Sequence, residues 1–180
     1  MSVWFITGAS RGFGLEIARE AVSRGHDVVA TARDAAAITA ALPDAGEHLL
    51  AVTLDVTDET QARAAAQAAV ERFGRIDVLI NNAGRSIRRA VMESFDRFHD
   101  FERTMELNYY GAVRLIMALL PTMTERREGH IINISSIGVL ANAARFSAYV
   151  ASKAALDAFT RCLSAEVKSS NIRTTAIYMP

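Results

Sequence analysis

The chain is poor in the residues that build stapled or membrane-bound proteins. Among 180 residues there are one cysteine, three prolines and one tryptophan, and 20 basic side chains are matched by 20 acidic ones. A lone Cys162 closes no internal disulfide, and its apolar helical setting reads as a core or interface position in a reducing, cytoplasmic compartment. Zero net charge leaves no broad cationic face for a phosphate backbone, which argues against nucleic-acid binding. The opening MSVWFITG has no basic flank and only a short apolar run, so it is no signal peptide. The most apolar segment, YYGAVRLIMALLPTM, is interrupted by Arg114 and Pro121, well short of the ~20 residues a membrane span needs. No charge block, internal repeat or low-complexity tract divides the chain, and no metal site is expected. What remains is one soluble domain over residues 1–180, 51% hydrophobic, long enough to bury about 70% of its unfolded surface.

Short β-branched runs alternate with longer helical patterns throughout. The expected strands are Val3–Thr7, Asp27–Thr31, Leu49–Leu54, Asp77–Asn81, His130–Ser135 and Arg173–Tyr178; helical patterns lie near 12–24, 58–73, 101–126 and 147–168, with a short piece at 35–41. Continuously apolar strands separated by helices predict a doubly wound, parallel α/β sheet covered on both faces. The stretch Arg85–Asp100 is the least regular and the best placed to touch a substrate.

The turn TGASRGFG, Thr7–Gly14, follows the first strand and opens the first helix. Its glycines at 8, 12 and 14 allow a tight turn, a close approach of backbone to a pyrophosphate and close helix–strand packing, while N–H groups at the helix start attract the anion. The spacing, GxxxGxG, departs from GxGxxG. At the end of the second strand, where a carboxylate would hold the adenine ribose and repel a 2′-phosphate, stands Ala32, followed by Arg33; Arg11 in the glycine turn adds a second cation. Asp34 is the competing candidate, or else the N-cap of the helix beginning at Ala35. On this charge placement NADP(H) is expected over NAD(H). In LDVTD, Asp55 can accept from an adenine amino group, with Asp58 capping the next helix. NNAG, Asn81–Gly84, ends the fourth strand where the winding reverses, the expected ligand crevice.

The helix around SAYVASKAAL carries Tyr149 and Lys153 one turn apart on one face. A free phenol, with a pKa of about 10, is a poor base at neutral pH. Lowering it by about 3 units takes roughly 4 kcal/mol, which one ammonium at about 4 Å supplies at an effective dielectric of 20.

The glycine turn, Asp55, NNAG, Asn108, INISS and YVASK stand in order across the chain, and together they resemble the classical short-chain dehydrogenase/reductase family. The resemblance implies a Rossmann-like, three-layer α/β/α domain and an active tetrad of Asn108, Ser136, Tyr149 and Lys153. Ser136 is matched in preference to Ser135 by its separation from the tyrosine. It also implies cofactor contacts at Gly8, Ser10, Arg11, Gly12, Phe13, Gly14, Arg33, Asp55, Val56, Asn82, Ala83 and Gly84, besides Tyr149 and Lys153. Tyr149 would be the acid/base, Lys153 would depress its pKa and hold the nicotinamide ribose, Ser136 would polarise the carbonyl oxygen, and Asn108 would hold a water linking Lys153 to solvent. The helices near 101–126 and 147–168, apolar on more than one face, correspond to those that pair between subunits in the family, so a homodimer or homotetramer is expected.

From NNAGRSIRRAV through LNYYGAVRL to YMP the chain is also similar to the reductase domain of bacterial fatty acyl-CoA reductases. Family members continue past this point through a mobile substrate loop and a seventh strand, so the sequence reads as short of the family's C-terminal strand. Three functions are therefore open: an NADP-dependent oxidoreductase of carbonyls or alcohols, a fatty acyl-CoA reductase giving the aldehyde, or a non-catalytic or truncated NADP-binding protein.

Overall fold

Residues in the first strand, β1 (Val3–Thr7), are apolar to both sides, which suits a strand buried between two helical layers. The computed structural model, which describes residues 1–180, places β1 inside a six-stranded parallel sheet of order β3-β2-β1-β4-β5-β6. The partners are β2 (Asp27–Ala32), β3 (Leu49–Thr53), β4 (Val78–Asn81), β5 (Gly129–Ser136) and β6 (Ile172–Met179). Between them run helices α1 (Gly12–Ser23), α2 (Ala35–Ala41), α3 (Glu59–Phe73), α4 (Phe98–Met105), α5 (Gly111–Arg126), the single turn α6 (Gly138–Ala141) and α7 (Ser147–Val167).

The alternation of strand side chains builds two cores. Phe5, Val29, Leu79 and Ile131 meet Leu115, Ile116, Leu119 and Met123 of α5 and Leu163 of α7 on one face. Ile6, Val28, Ala30 and Ile80 meet Ala18 and Ala21 of α1 and Ile38 of α2 on the other. Full burial of side chains of this size stabilises by roughly 1.5–3 kcal/mol each, so the two layers fix the sheet from both sides. Local signals set the helix ends: Asp34 accepts from the Ala36 N–H at the start of α2, Asp58 accepts from Gln61 N–H at the start of α3, and Gly74 closes α3 in the left-handed conformation.

The strand expectations hold to within a residue at each end. The helical pattern at 101–126 resolves differently: α4 ends at Met105, a π-turn covers Glu106–Tyr110, and α5 begins at Gly111. One extra residue in that turn rotates everything after it by about 100°, which the 3.6-residue period of the sequence does not reveal. The irregular stretch after Arg85 contains a 3₁₀ turn at Val91–Glu93 and enters α4 at Phe98. Cys162, read as a core or interface residue, is exposed on α7, because it falls on the face turned away from buried Leu163 and Val167.

Candidate active-site crevice

The winding reverses between β1 and β4, and the carboxyl ends of these strands are tied together by Thr7. Its hydroxyl accepts from the N–H groups of Asn82 and Ala83, both at 2.9 Å, and its carbonyl accepts from Asn82 Nδ2 at 2.9 Å. This seam opens into a crevice of about 1180 Å³ lined by Gly8, Ser10, Arg11, Gly12, Arg33, Asp55, Val56, Asn82, Ala83 and Gly84, and by residues of α4 and the π-turn from Glu102 to Leu107 other than Met105. Phe13 is 42% exposed and lies outside that lining. Gly14 is buried beneath the turn, where an added Cβ would stand 2.4 Å from both the Gly8 carbonyl oxygen and Asn82 Nδ2.

The glycine turn is shaped for a close visitor. Gly8 has φ +66, and a Cβ there would meet the Ala83 backbone at 3.0 Å; Gly12 has φ +57 and faces open space. Arg11, the residue before α1, makes no side-chain cap, and it and Gly12, the first residue of this 12-residue helix, line the crevice. Arg11 and Arg33 are exposed on the lining without an ion-pair partner, and Asp34 is committed to capping α2 at 3.0 Å. Asp55 spends one carboxylate oxygen on Thr57, at 3.0 Å to its N–H and 2.7 Å to its hydroxyl, and keeps the other free.

At Gly84 the lining touches α7. A Cβ on Gly84 would stand 3.2 Å from Asn108 Oδ1 and 3.4 Å from Lys153 Nζ, which brings both side chains to one wall. Lys153 is 4% exposed, and its ammonium donates to the Ile134 carbonyl of β5 at 2.7 Å. Burial without a carboxylate partner pushes its pKa down to about 8. Tyr149 lies half-buried one turn earlier. Ser136 ends β5, and its hydroxyl accepts from the Gly138 N–H at 3.1 Å; a Cβ on Gly138 would meet both that hydroxyl and Val150 next to Tyr149. Of the expected tetrad, Asn108 and Lys153 thus meet at Gly84, while Ser136 ends β5 two residues beyond the carbonyl that holds Lys153, and Tyr149 stands on α7 one turn before Lys153.

Asn108, at the centre of the π-turn, is 1% exposed and fully engaged: Oδ1 accepts from Arg85 N–H at 2.8 Å, and Nδ2 donates to the Arg85 carbonyl at 2.9 Å and to Ser152 Oγ at 3.0 Å. Ser152 Oγ in turn donates to the Tyr149 carbonyl at 2.7 Å. Sequence reasoning passed over Thr7 and Ser152, although both stand inside the quoted motifs, TGASRGFG and YVASK. No group of His, Cys, Asp and Glu is arranged to hold a metal, and no helix is long and apolar enough to cross a membrane.

Comparison with known proteins accords with this fold. A family model described as short chain dehydrogenase matches residues 2–180. A fatty acyl-CoA reductase of Acinetobacter baylyi is 58% identical over 181 residues, covering 99% of this chain and 61% of that protein. A fatty acyl-CoA reductase of Mycobacterium tuberculosis is 43% identical over 179 residues, covering 97% of this chain and again 61% of its own length. The crystal structure of a short-chain dehydrogenase from Streptomyces avermitilis, 42% identical, superposes with a TM-score of 0.90 over 99% of this chain and 66% of that one. The chain spans about three fifths of the length of the two curated relatives.

Proposed function

The chain belongs to the short chain dehydrogenase family, and on that footing we propose that it is an NADP(H)-dependent oxidoreductase acting on a carbonyl or alcohol substrate. The nicotinamide, when bound, supplies or accepts the hydride at C4. The observation that carries the reading is Lys153: a buried ammonium, held only by a backbone carbonyl, sits at the crevice wall one turn from a phenol. A structural role gives no reason to bury that charge, whereas chemistry does.

The glycine turn and the free N–H groups of α1 suit a pyrophosphate, and Asp55 suits the adenine amino group. Arg11 and Arg33 suit a 2′-phosphate, favouring NADP(H) over NAD(H). Tyr149 gives its proton to the carbonyl oxygen, or takes it from the carbinol, while Ser136 donates a hydrogen bond to that oxygen and Lys153 stabilises the phenolate electrostatically. Asn108, rigidly clamped, fixes the loop at Arg85 and borders the route by which protons return to Lys153. The protein works in the cytoplasm as a homodimer or homotetramer; exposed Tyr110 at the end of the π-turn and Met117 on α5 support the assembly.

A second reading, fatty acyl-CoA reduction, is favoured by the 58% identity to a protein of that name and by exposed apolar side chains, Met92 and Phe95 on the segment that follows the crevice residues Arg85 and Ile87, and Leu140 on α6 after Ser136. There the thioester carbon gains the hydride and loses its bond to sulfur. NADPH, one proton and acyl-CoA become NADP⁺, aldehyde and free CoA thiol.

One experiment covers both readings. NADPH and NADH oxidation are followed with a panel of aldehydes, ketones and acyl-CoAs, for the wild type and Tyr149→Phe, beside titrations of both cofactors. The expected outcome is tighter NADPH than NADH binding, undiminished in Tyr149→Phe, with turnover abolished in the variant. Turnover surviving in Tyr149→Phe rejects the assignment, and acyl-CoA-driven oxidation selects the second reading.

A further inference from the structure

The segment between β4 and α4 is tied down on both sides by a single arginine. The Arg89 N–H donates to the Arg145 carbonyl at 2.7 Å, while its Nε donates to Asp100 Oδ2 at 3.2 Å. Asp100, on α4, is 2% exposed and also accepts from Arg97 Nε at 3.0 Å and Arg103 Nη2 at 2.6 Å. The Asp100 carboxylate is itself buried, and Arg89 is the one of these three partners that does not come from α4 or the residue before it, so this pair ties the distant segment to the helix.

The far side of the tie needs it. Arg145 has φ +71 and Asn142 φ +50, conformations that a residue with a Cβ adopts at a cost. The following helix, α7, has no side-chain cap at Phe146 and no acidic residue in its first turn. Local sequence therefore leaves the entry to α7 undetermined. The holding contacts come from outside: the Arg89 N–H on the Arg145 carbonyl, and Glu93 facing the Arg145 guanidinium at 3.4 Å. From there the Phe146 carbonyl accepts the Val150 N–H at 2.7 Å, so the geometry at 145–146 sets where the turn bearing Tyr149 begins.

Resting on the oxidoreductase reading, we infer that Arg89, anchored by Asp100, is a positioning residue that fixes the left-handed backbone at Arg145 and, through it, the place of Tyr149. Arg89 lies outside the crevice lining. A displacement of about 1 Å at a reacting group costs on the order of 100-fold in rate, so a strap of this kind acts on turnover rather than on binding.

The test compares wild type, Arg89→Ala and Arg89→Lys by amide hydrogen exchange and by steady-state kinetics on whichever substrate the panel yields. In Arg89→Ala, exchange across residues 145–150 accelerates about tenfold or more and kcat falls roughly 10- to 100-fold, while KM and NADPH affinity stay within about twofold. Arg89→Lys, which keeps a cation for Asp100, recovers most of both losses; it also serves if the alanine variant does not fold. Unchanged exchange at 145–150 overturns the inference, as does faster exchange with kcat intact. A wild type inactive with every substrate defeats the oxidoreductase reading instead, and the exchange measurement then decides on the strap alone.

Discussion

Lys153 pays the electrostatic cost of the site. Its ammonium has one hydrogen bond, to a carbonyl, and no carboxylate, and burial brings its pKa from 10.5 to about 8. The sign of the linkage follows. Between pH 8 and 10.5 the unfolded chain keeps a proton that the folded one has shed, so this residue makes stability rise with pH there, by up to roughly 3 kcal/mol. Below pH 8 both states are protonated and the full burial cost is present without a slope. Chemical unfolding of wild type and Lys153→Met along this range should therefore show the wild type gaining stability relative to the variant as pH rises from 8 to 10.5. A flat difference would mean that the ammonium is solvated. A cation of this kind is retained at a cost to stability, which accords with the role proposed for it beside Tyr149.

Among the elements, the junction of β1, α1 and β4 has the least tolerance. Gly14 is needed for space, since its added Cβ would fall 2.4 Å from the Gly8 carbonyl oxygen and from Asn82 Nδ2. Asn82 is a side chain, which can move; the Gly8 carbonyl is backbone in the turn itself, which cannot. Gly14→Ala should lower unfolding stability by about 1–3 kcal/mol or more and weaken NADPH binding with it, and adding Asn82→Ala should not restore either. Recovery in the double variant would show that the amide, not the carbonyl, sets the limit. This junction was legible in the sequence, because glycine spacing and a strand-to-helix switch are local signals. So were the strands, whose two-sided apolar character declares burial, and the caps Asp34 and Asp58. What was not legible depends on contacts between distant segments. The π-turn around Asn108 has no local signature, yet it carries the amide that clamps Arg85. The strap from Arg89 to Arg145 joins residues 56 apart in the chain by a backbone hydrogen bond that any residue type could make. Phe13 stands within the glycine motif, yet it is 42% exposed and is not among the crevice lining.

For the whole molecule, the face of α5 opposite the core presents an unfinished surface. Met117 is 62% and Tyr110 46% exposed, and they border a hollow of about 210 Å³ shared with Glu59 and Arg63 of α3. Arg114 lies across it. One of its terminal nitrogens pairs with Glu106 at 2.5 Å, and the other is buried with no acceptor. An unmet buried donor costs about 1–3 kcal/mol, and a second surface bringing an acceptor and apolar cover would relieve that cost and the exposure of Met117 together. A second copy of the chain packed on this face would be such a surface in the assembly proposed above, and two-fold symmetry would place each Met117 near the partner's matching surface. Sedimentation at micromolar concentration should then give a dimer or tetramer. Met117→Glu, which puts a charge on the exposed rim and leaves both cores intact, should shift the mass to monomer without altering the helical circular dichroism. A wild type already monomeric at that concentration would count against this interface, and a variant that remains assembled would move the contact to another face.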